Sequence, residues 1–171
     1  KIDEDYLWEL IYKIKPILDK LENENVEKRP SFFEVLTTLA FMYFSDMNIH
    51  TAVLEVGLGG RLDATNVAFN SASVVTTIGF DHSEYLGSTR EDIAYEKAGI
   101  IKEGNSFVTE EKDEKLRDYF KEVCEERGAE YHYALEREYE INKNPLRLNM
   151  PDYGEIKIPG IAEWHAENAL T

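Results

Sequence analysis

Apolar residues recur at helical spacing from the start of the chain. Leu7, Leu10, Ile11, Ile14, Ile17 and Leu18 form one stripe between Tyr6 and Leu21, with lysines and acids opposite. The spacing predicts a helix of about four turns. A charged connector, Glu22 to Arg29, follows. Pro30 and Ser31 then announce a second helix, with Ser31 as N-cap and Glu34 three residues on, running to about Ser45. Its interior, Phe33 to Phe44, is apolar around most of its circumference, which predicts packing on two sides.

Beyond it the period shortens. Thr51 to Val56 is a β-branched apolar run and predicts a buried parallel strand opening into the loop Gly57 to Asn66. Ala72 to Ile78 predicts a second buried strand, ending in Gly79-Phe-Asp-His82. Ser88 or Thr89 caps a helix that stops at Gly99, Asn105 to Thr109 predicts a third strand, Asp113 to Arg127 a helix and Ala129 to Tyr133 a fourth strand. This alternation predicts an α/β fold with an open, mostly parallel sheet flanked by helices. From Glu138 the segments shorten to Tyr139–Lys143, Leu146–Asn149 and Glu155–Ile158, a small antiparallel meander over 138–159. Gly160 to Thr171 reads as the start of a helix.

The chain's 171 residues suffice to bury roughly 70% of the unfolded surface. Nineteen basic against 34 acidic residues leave a net charge of −15, which repels phosphate backbones and argues against nucleic acid as a partner. A small anionic ligand remains compatible, because backbone amides and a metal ion can oppose the net charge locally. No apolar run approaches the ~20 residues of a membrane span, and no secretory signal opens the chain. With Cys124 as the one cysteine, the sequence reads as cytoplasmic. Lys1 as first residue suggests a fragment.

Ligands of such sheets bind beyond the carboxyl ends of the strands, so the polar segments there are the candidates. Glu55 within an apolar strand is costly unless it meets a cation or donors; it is either a ligand residue or a carboxylate facing solvent or pairing with Arg61. Gly57, Gly59 and Gly60 allow close backbone approach to an anion, although the spacing fits neither the dinucleotide fingerprint nor the P-loop. Asp63 and Asn66 are equally turn residues bonding their own backbone. The histidine of Asp81-His82 is either a metal ligand or base, or an isolated loop histidine that is neither. Lys97 is either an ordinary surface or salt-bridged lysine or, on the predicted sheet-facing side of its helix, one that pairs with an acid such as Glu96 or Glu55 or has a lowered pKa.

Together, Ser31-Phe-Phe-Glu-Val-Leu-Thr-Thr-Leu-Ala-Phe, Ala52-Val-Leu-Glu-Val-Gly-Leu-Gly-Gly-Arg-Leu-Asp-Ala-Thr-Asn66, Ile78-Gly-Phe-Asp-His82, Tyr85-Leu-Gly87 and Ile93-Ala-Tyr-Glu-Lys-Ala-Gly-Ile-Ile-Lys102 closely resemble the folylpolyglutamate synthase and dihydrofolate synthase family of the Mur ligase superfamily. The resemblance implies the central, P-loop NTPase-like domain of that superfamily. It also implies an ATP-dependent amide ligase in which a folate or dihydropteroate carboxylate becomes an acyl phosphate that glutamate attacks. It assigns Glu55 and His82 to Mg2+, and Lys97 to a catalytic lysine often carbamylated in the superfamily. Asp63, Ser31 and Phe33 match substrate-contacting positions, Asn168 an adenine-contacting one, and Arg61, Asn66 and Asp81 the site framework.

Two departures accompany the resemblance. His165 stands three rather than four residues before Asn168, and the 171 residues contain no P-loop pattern. The expectation is a partial ATP-binding domain over 1–171, without the P-loop segment or the C-terminal domain, inactive alone. Its exposed sheet surface invites dimerisation. A Mur-type ligase for another acid, and a non-catalytic binding module, are the competing readings. Joint retention of Glu55, His82 and Lys97 argues against the module.

Overall fold

The computed structural model describes residues 1–24, 29–80, 82–136, 138–143, 146–159 and 163–169. They form two compact units, Lys1–Gly57 and Leu58–Thr171.

The first unit is a pair of helices, α1 (Glu4–Glu24) and α2 (Phe32–Asp46). The predicted stripe is the contact face: Leu10, Ile14 and Leu39 are buried, with Tyr6, Leu7, Val35 and Met42 around them. Ser31 caps α2 as its sequence predicts. Its hydroxyl accepts the Glu34 amide at 3.2 Å, and the Glu34 carboxylate accepts the Ser31 amide at 2.7 Å. Those bonds hold the Glu34 carboxyl below the usual range. The second apolar face of α2 finds no cover among the described residues: Phe32 is 79% exposed, and Phe33 and Leu36 are also exposed. Packing on two sides is therefore not found.

The expected strand Thr51–Val56 is likewise not found. The segment has no ladder partner among the described residues, and Val53 is 96% exposed. Apolar β-branched composition creates only a tendency, since a strand exists through hydrogen bonds to a neighbouring backbone.

The second unit carries the predicted α/β alternation. Strands β1 (Ala72–Val75), β2 (Ser106–Thr109) and β3 (Glu130–Tyr133) pair in parallel in the order β1-β2-β3. Val74 faces Val108, and Val108 faces His132. The β1–β2 connection contains α3 (Ser83–Leu86) and α4 (Arg90–Ala98), and the β2–β3 connection α5 (Glu114–Arg127). Between sheet and helices lies the main core, which includes Val75, Ile93, Ala98, Phe107, Leu116 and Phe120. The Phe107 and Phe120 ring centroids are 5.2 Å apart. Cys124 belongs to this core, and burial pushes its thiol pKa up to about 11. Arg127 ties α5 to the end of α4 by donating to the Ala98 and Ile101 carbonyls.

β1 is shorter than predicted and is not buried on both faces. Ser73 and Val75 point inward, whereas Ala72 and Val74 are exposed. Past β3 the predicted meander forms an antiparallel sheet of β4 (Glu140–Lys143), β5 (Leu146–Met150) and β6 (Gly154–Lys157). Leu148 and Met150 pack with Ala134 and Val108, which covers part of the other face of β2. The last described element is α6 (Glu163–Asn168).

Candidate functional site

The glycine loop is shaped by its contact with the end of α4. A Cβ added at Gly60 would lie 2.8 Å from the Glu96 carbonyl oxygen and 2.9 Å from Ile100 Cγ2. One at Gly99 would overlap the Arg61 backbone. The absent side chains let two backbones touch, and hydrogen bonds then lock them. The Arg61 amide donates to the Glu96 carbonyl at 2.8 Å, and Asn66 Nδ2 donates to the Arg61 and Gly99 carbonyls at 3.0 and 3.1 Å. Lys102 Nζ donates to the Asn66 carbonyl at 2.9 Å, and burial lowers its pKa.

Arg61, weighed in the sequence as a partner of Glu55, pairs instead with Glu96. Its Nε and Nη2 donate to Glu96 Oε1 at 3.2 and 2.9 Å, and this bond raises the guanidinium pKa further. Asp63 serves its own turn: Oδ1 accepts the Thr65 amide and hydroxyl, and Oδ2 accepts the Leu58 amide. Of the two readings of this residue, the Asx-type turn is the one seen directly. Gly59 completes the wedge, with Leu86 of α3 on one side and Glu96 of α4 on the other.

Lys97 is half-buried on α4 beside Ile93, Ala94 and Ala98, and makes no ion pair with any described residue. Glu96, one of the acids weighed for it, pairs with Arg61 instead. His82 is exposed, has a φ of +54°, and its carbonyl accepts the Tyr85 and Leu86 amides that open α3. A non-glycine residue in the left-handed region carries strain of about 1 kcal/mol or more. The structure thus gathers Gly59, Gly60, Arg61 and Asn66 onto α4 around Lys97, with His82 at the head of the adjoining α3. Asp81 lies outside the described residues.

The first unit holds Ser31, Phe33, Glu55 and Gly57. Glu55 is exposed, so the cost of burying its charge, the argument that singled it out, does not apply. The Ser31 hydroxyl is used in its capping box, and Phe33 is exposed.

Sequence reasoning missed a polar cluster at the carboxyl end of the sheet. Glu111 is 2% exposed and bonds Arg90, the Ile78 amide and the Asp113 amide. Its one signal was a pair of carboxylates directly after an apolar strand. The neighbouring Glu110 is as buried, and its Oε2 has no hydrogen-bond partner among the described residues. Burial and then the Glu167 charge push its pKa up, while Lys112 opposes them. Lys112 bonds Glu167 at 2.9 Å and so holds α6, the helix that ends in Asn168, near this end of the sheet.

A raised carboxyl pKa means that the folded state keeps a proton the unfolded state has released. Stability therefore falls as pH rises from the unfolded pKa through the folded one. Glu110→Gln removes this loss. The variant is expected to melt above wild type at pH 7.5, with the difference shrinking toward pH 4; equal melting temperatures at pH 7.5 would contradict this.

The dihydrofolate synthase/folylpolyglutamate synthase of Bacillus subtilis is 45% identical over 101 residues, 58% of this chain and 23% of that protein. The folylpolyglutamate synthase structure from Thermotoga maritima superposes with a TM-score of 0.84 at 33% identity, covering 98% of this chain and 40% of that one. A folylpolyglutamate synthase complex with AMPPCP and folate gives the same TM-score at 26% identity, covering 99% and 43%. The chain thus spans less than half the length of these relatives. The Mur ligase middle domain model matches residues 9–171, and the chain belongs to that family, with folylpolyglutamate and dihydrofolate synthases as its relatives.

Proposed function

We propose that this chain is a partial central domain of an ATP-dependent ligase that joins glutamate to a folate or dihydropteroate carboxylate through an acyl phosphate. The observation that carries the reading is the glycine loop locked onto α4 beside Lys97, within a chain of this family. The relative solved with AMPPCP and folate supports ATP and a folate-type acid as substrates. In this reading Asp63 of the second unit, and Ser31 and Phe33 of the first, each keep the substrate-contacting role that the family resemblance implies, and Asn168 that of meeting the adenine. Arg61, Asn66 and the glycines hold the loop in place.

Magnesium is the ion this reading implies, with Glu55 a hard oxygen donor of the kind it takes and His82 a less usual nitrogen ligand for it. It takes one or two protein ligands and completes its shell with phosphate and water oxygens. No group of three His, Cys, Asp or Glu gathers among the described residues, so a closed protein cage is not offered. Glu55 and His82 are the candidate donors, and the ion would neutralise charge on the transferring phosphate. Lys97 contributes charge at the reacting group, as a cation or, once carbamylated, as an anionic oxygen donor.

The reading goes with a cytoplasmic enzyme; no helix among the described residues is long and apolar enough to cross a membrane. The deciding experiment supplies the full-length protein with ATP, glutamate and dihydropteroate or tetrahydrofolate, and measures phosphate release. Release that requires both glutamate and the folate-type acid is expected. Release with a different acid alone would move the assignment to another Mur-type ligase, and no release with any acid would remove the ligase reading. The 171 residues alone are expected to be inactive and to self-associate through β1, an edge strand among the described residues, where Val74 is 45% exposed and Phe69 just before the strand is 98% exposed. A monomer at every concentration in sedimentation velocity would contradict the association.

A further inference from the structure

Beyond Val75 the parallel ladder stops, yet the chain toward His82 does not run free. At Ile78, three residues past the ladder, both backbone groups are held by side chains. The amide donates to Glu111 Oε2 at 2.6 Å, and the carbonyl accepts Arg90 Nε at 3.0 Å. The two side chains are themselves joined, Arg90 Nη2 to Glu111 Oε1 at 2.8 Å. A closed ring of charge-assisted bonds therefore replaces the ladder at this point.

The ring reaches further. Arg90 Nη1 bonds the Asp113 carboxylate at 2.9 Å, and Glu111 Oε1 also accepts the Asp113 amide at 2.8 Å. Asp113 is the N-cap of α5, and Arg90 is the first residue of α4. One buried carboxylate thus joins the exit of β1, the start of the helix that carries Lys97, and the start of α5. Such an ion pair offers little net stability over apolar residues of the same volume, so its value lies in fixing geometry.

We propose that Arg90 and Glu111 are positioning residues of the site. By clamping Ile78 they set where His82 stands relative to α4 and its Lys97. The proposal rests on the ligase reading, and it assigns neither residue a contact with substrate. His82 is held downstream by the turn into α3, so the clamp at Ile78 is its upstream anchor.

The test uses the full-length enzyme with Glu111→Gln and Arg90→Lys, read by steady-state kinetics and by hydrogen exchange of the peptide covering 76–86. Misplacing a reacting group by about 1 Å costs on the order of 100-fold. Glu111→Gln is expected to lower kcat by about 30- to 100-fold, with KM for ATP and for the acid within about twofold. Arg90→Lys keeps the charge but cannot span Ile78, Glu111 and Asp113 at once; it should lower kcat in the same direction by a smaller factor. Exchange should quicken in 76–86 and stay unchanged in the β2 and β3 peptides. Wild-type kcat in Glu111→Gln, a loss confined to KM, or exchange that quickens equally everywhere would overturn the proposal. Wild-type enzyme without ligase activity would overturn the ligase reading instead. Unaltered exchange in 76–86 would then still overturn the clamp.

Discussion

Lys97→Ala in the full-length protein is expected to lower kcat by about 100- to 1000-fold, the loss typical of removing one electrostatic group aimed at a transition state. Thermal stability should hardly change. The side chain is half-buried, makes no ion pair among the described residues, and gives way to the best helix former near the end of α4. Lys97→Arg separates two roles for the group. A carbamate forms only on a neutral amine, which a guanidinium never offers, so arginine should fail as badly as alanine if the lysine works as a carbamate. His82→Gly makes a second contrast: it removes the imidazole and also the penalty of a φ of +54° on a residue with a Cβ. Ligase activity should collapse while the melting temperature holds or rises. Full activity in Lys97→Ala would remove this lysine from the chemistry.

The second large effect is on stability. Gly99→Ala drives a methyl group into the backbone of Arg61, where no rotamer change can relieve it. The loop must then part from α4 and give up the Arg61 amide bond to Glu96 and the Asn66 bond to the Gly99 carbonyl. A cost of about 3 kcal/mol is expected, or roughly 6 to 12 °C in Tm for a chain of this size. Gly79→Ala is the control. A Cβ there meets nothing within 4 Å, so its cost should stay below about 1 kcal/mol. Calorimetry of the two variants decides the matter, and a Gly99→Ala transition within about 2 °C of wild type would show that the contact does not hold the loop.

The glycine loop shows how far the site could be read in advance. Gly60, Arg61 and Asn66 could be singled out from the chain, because glycines and an asparagine after an apolar run mark a backbone that must turn or touch something. What they touch was not legible. The Arg61 partner, Glu96, lies 35 residues away, and only the packing of the loop on α4 brings them together. Arg90 and Glu111 went unnoticed for the same reason, being ordinary charged residues until the exit of β1 passes between them.

The helices and their ends were set by the sequence itself. The Ser31–Glu34 box, the Thr89 and Asp113 caps and the stop at Gly128 are contacts within a few residues, so a short stretch of chain contains all the information they need. The alternation of elements and the C-terminal meander were legible for a similar reason, through local period and turn residues. Only the tertiary structure decided which apolar runs become strands. Thr51–Val56 and Phe107 with its neighbours look alike as sequence, yet one lacks a ladder among the described residues and the other is the middle strand of a sheet. A strand needs a partner backbone and a buried carboxylate needs its donors, and both come from distant parts of the chain that meet only when it folds.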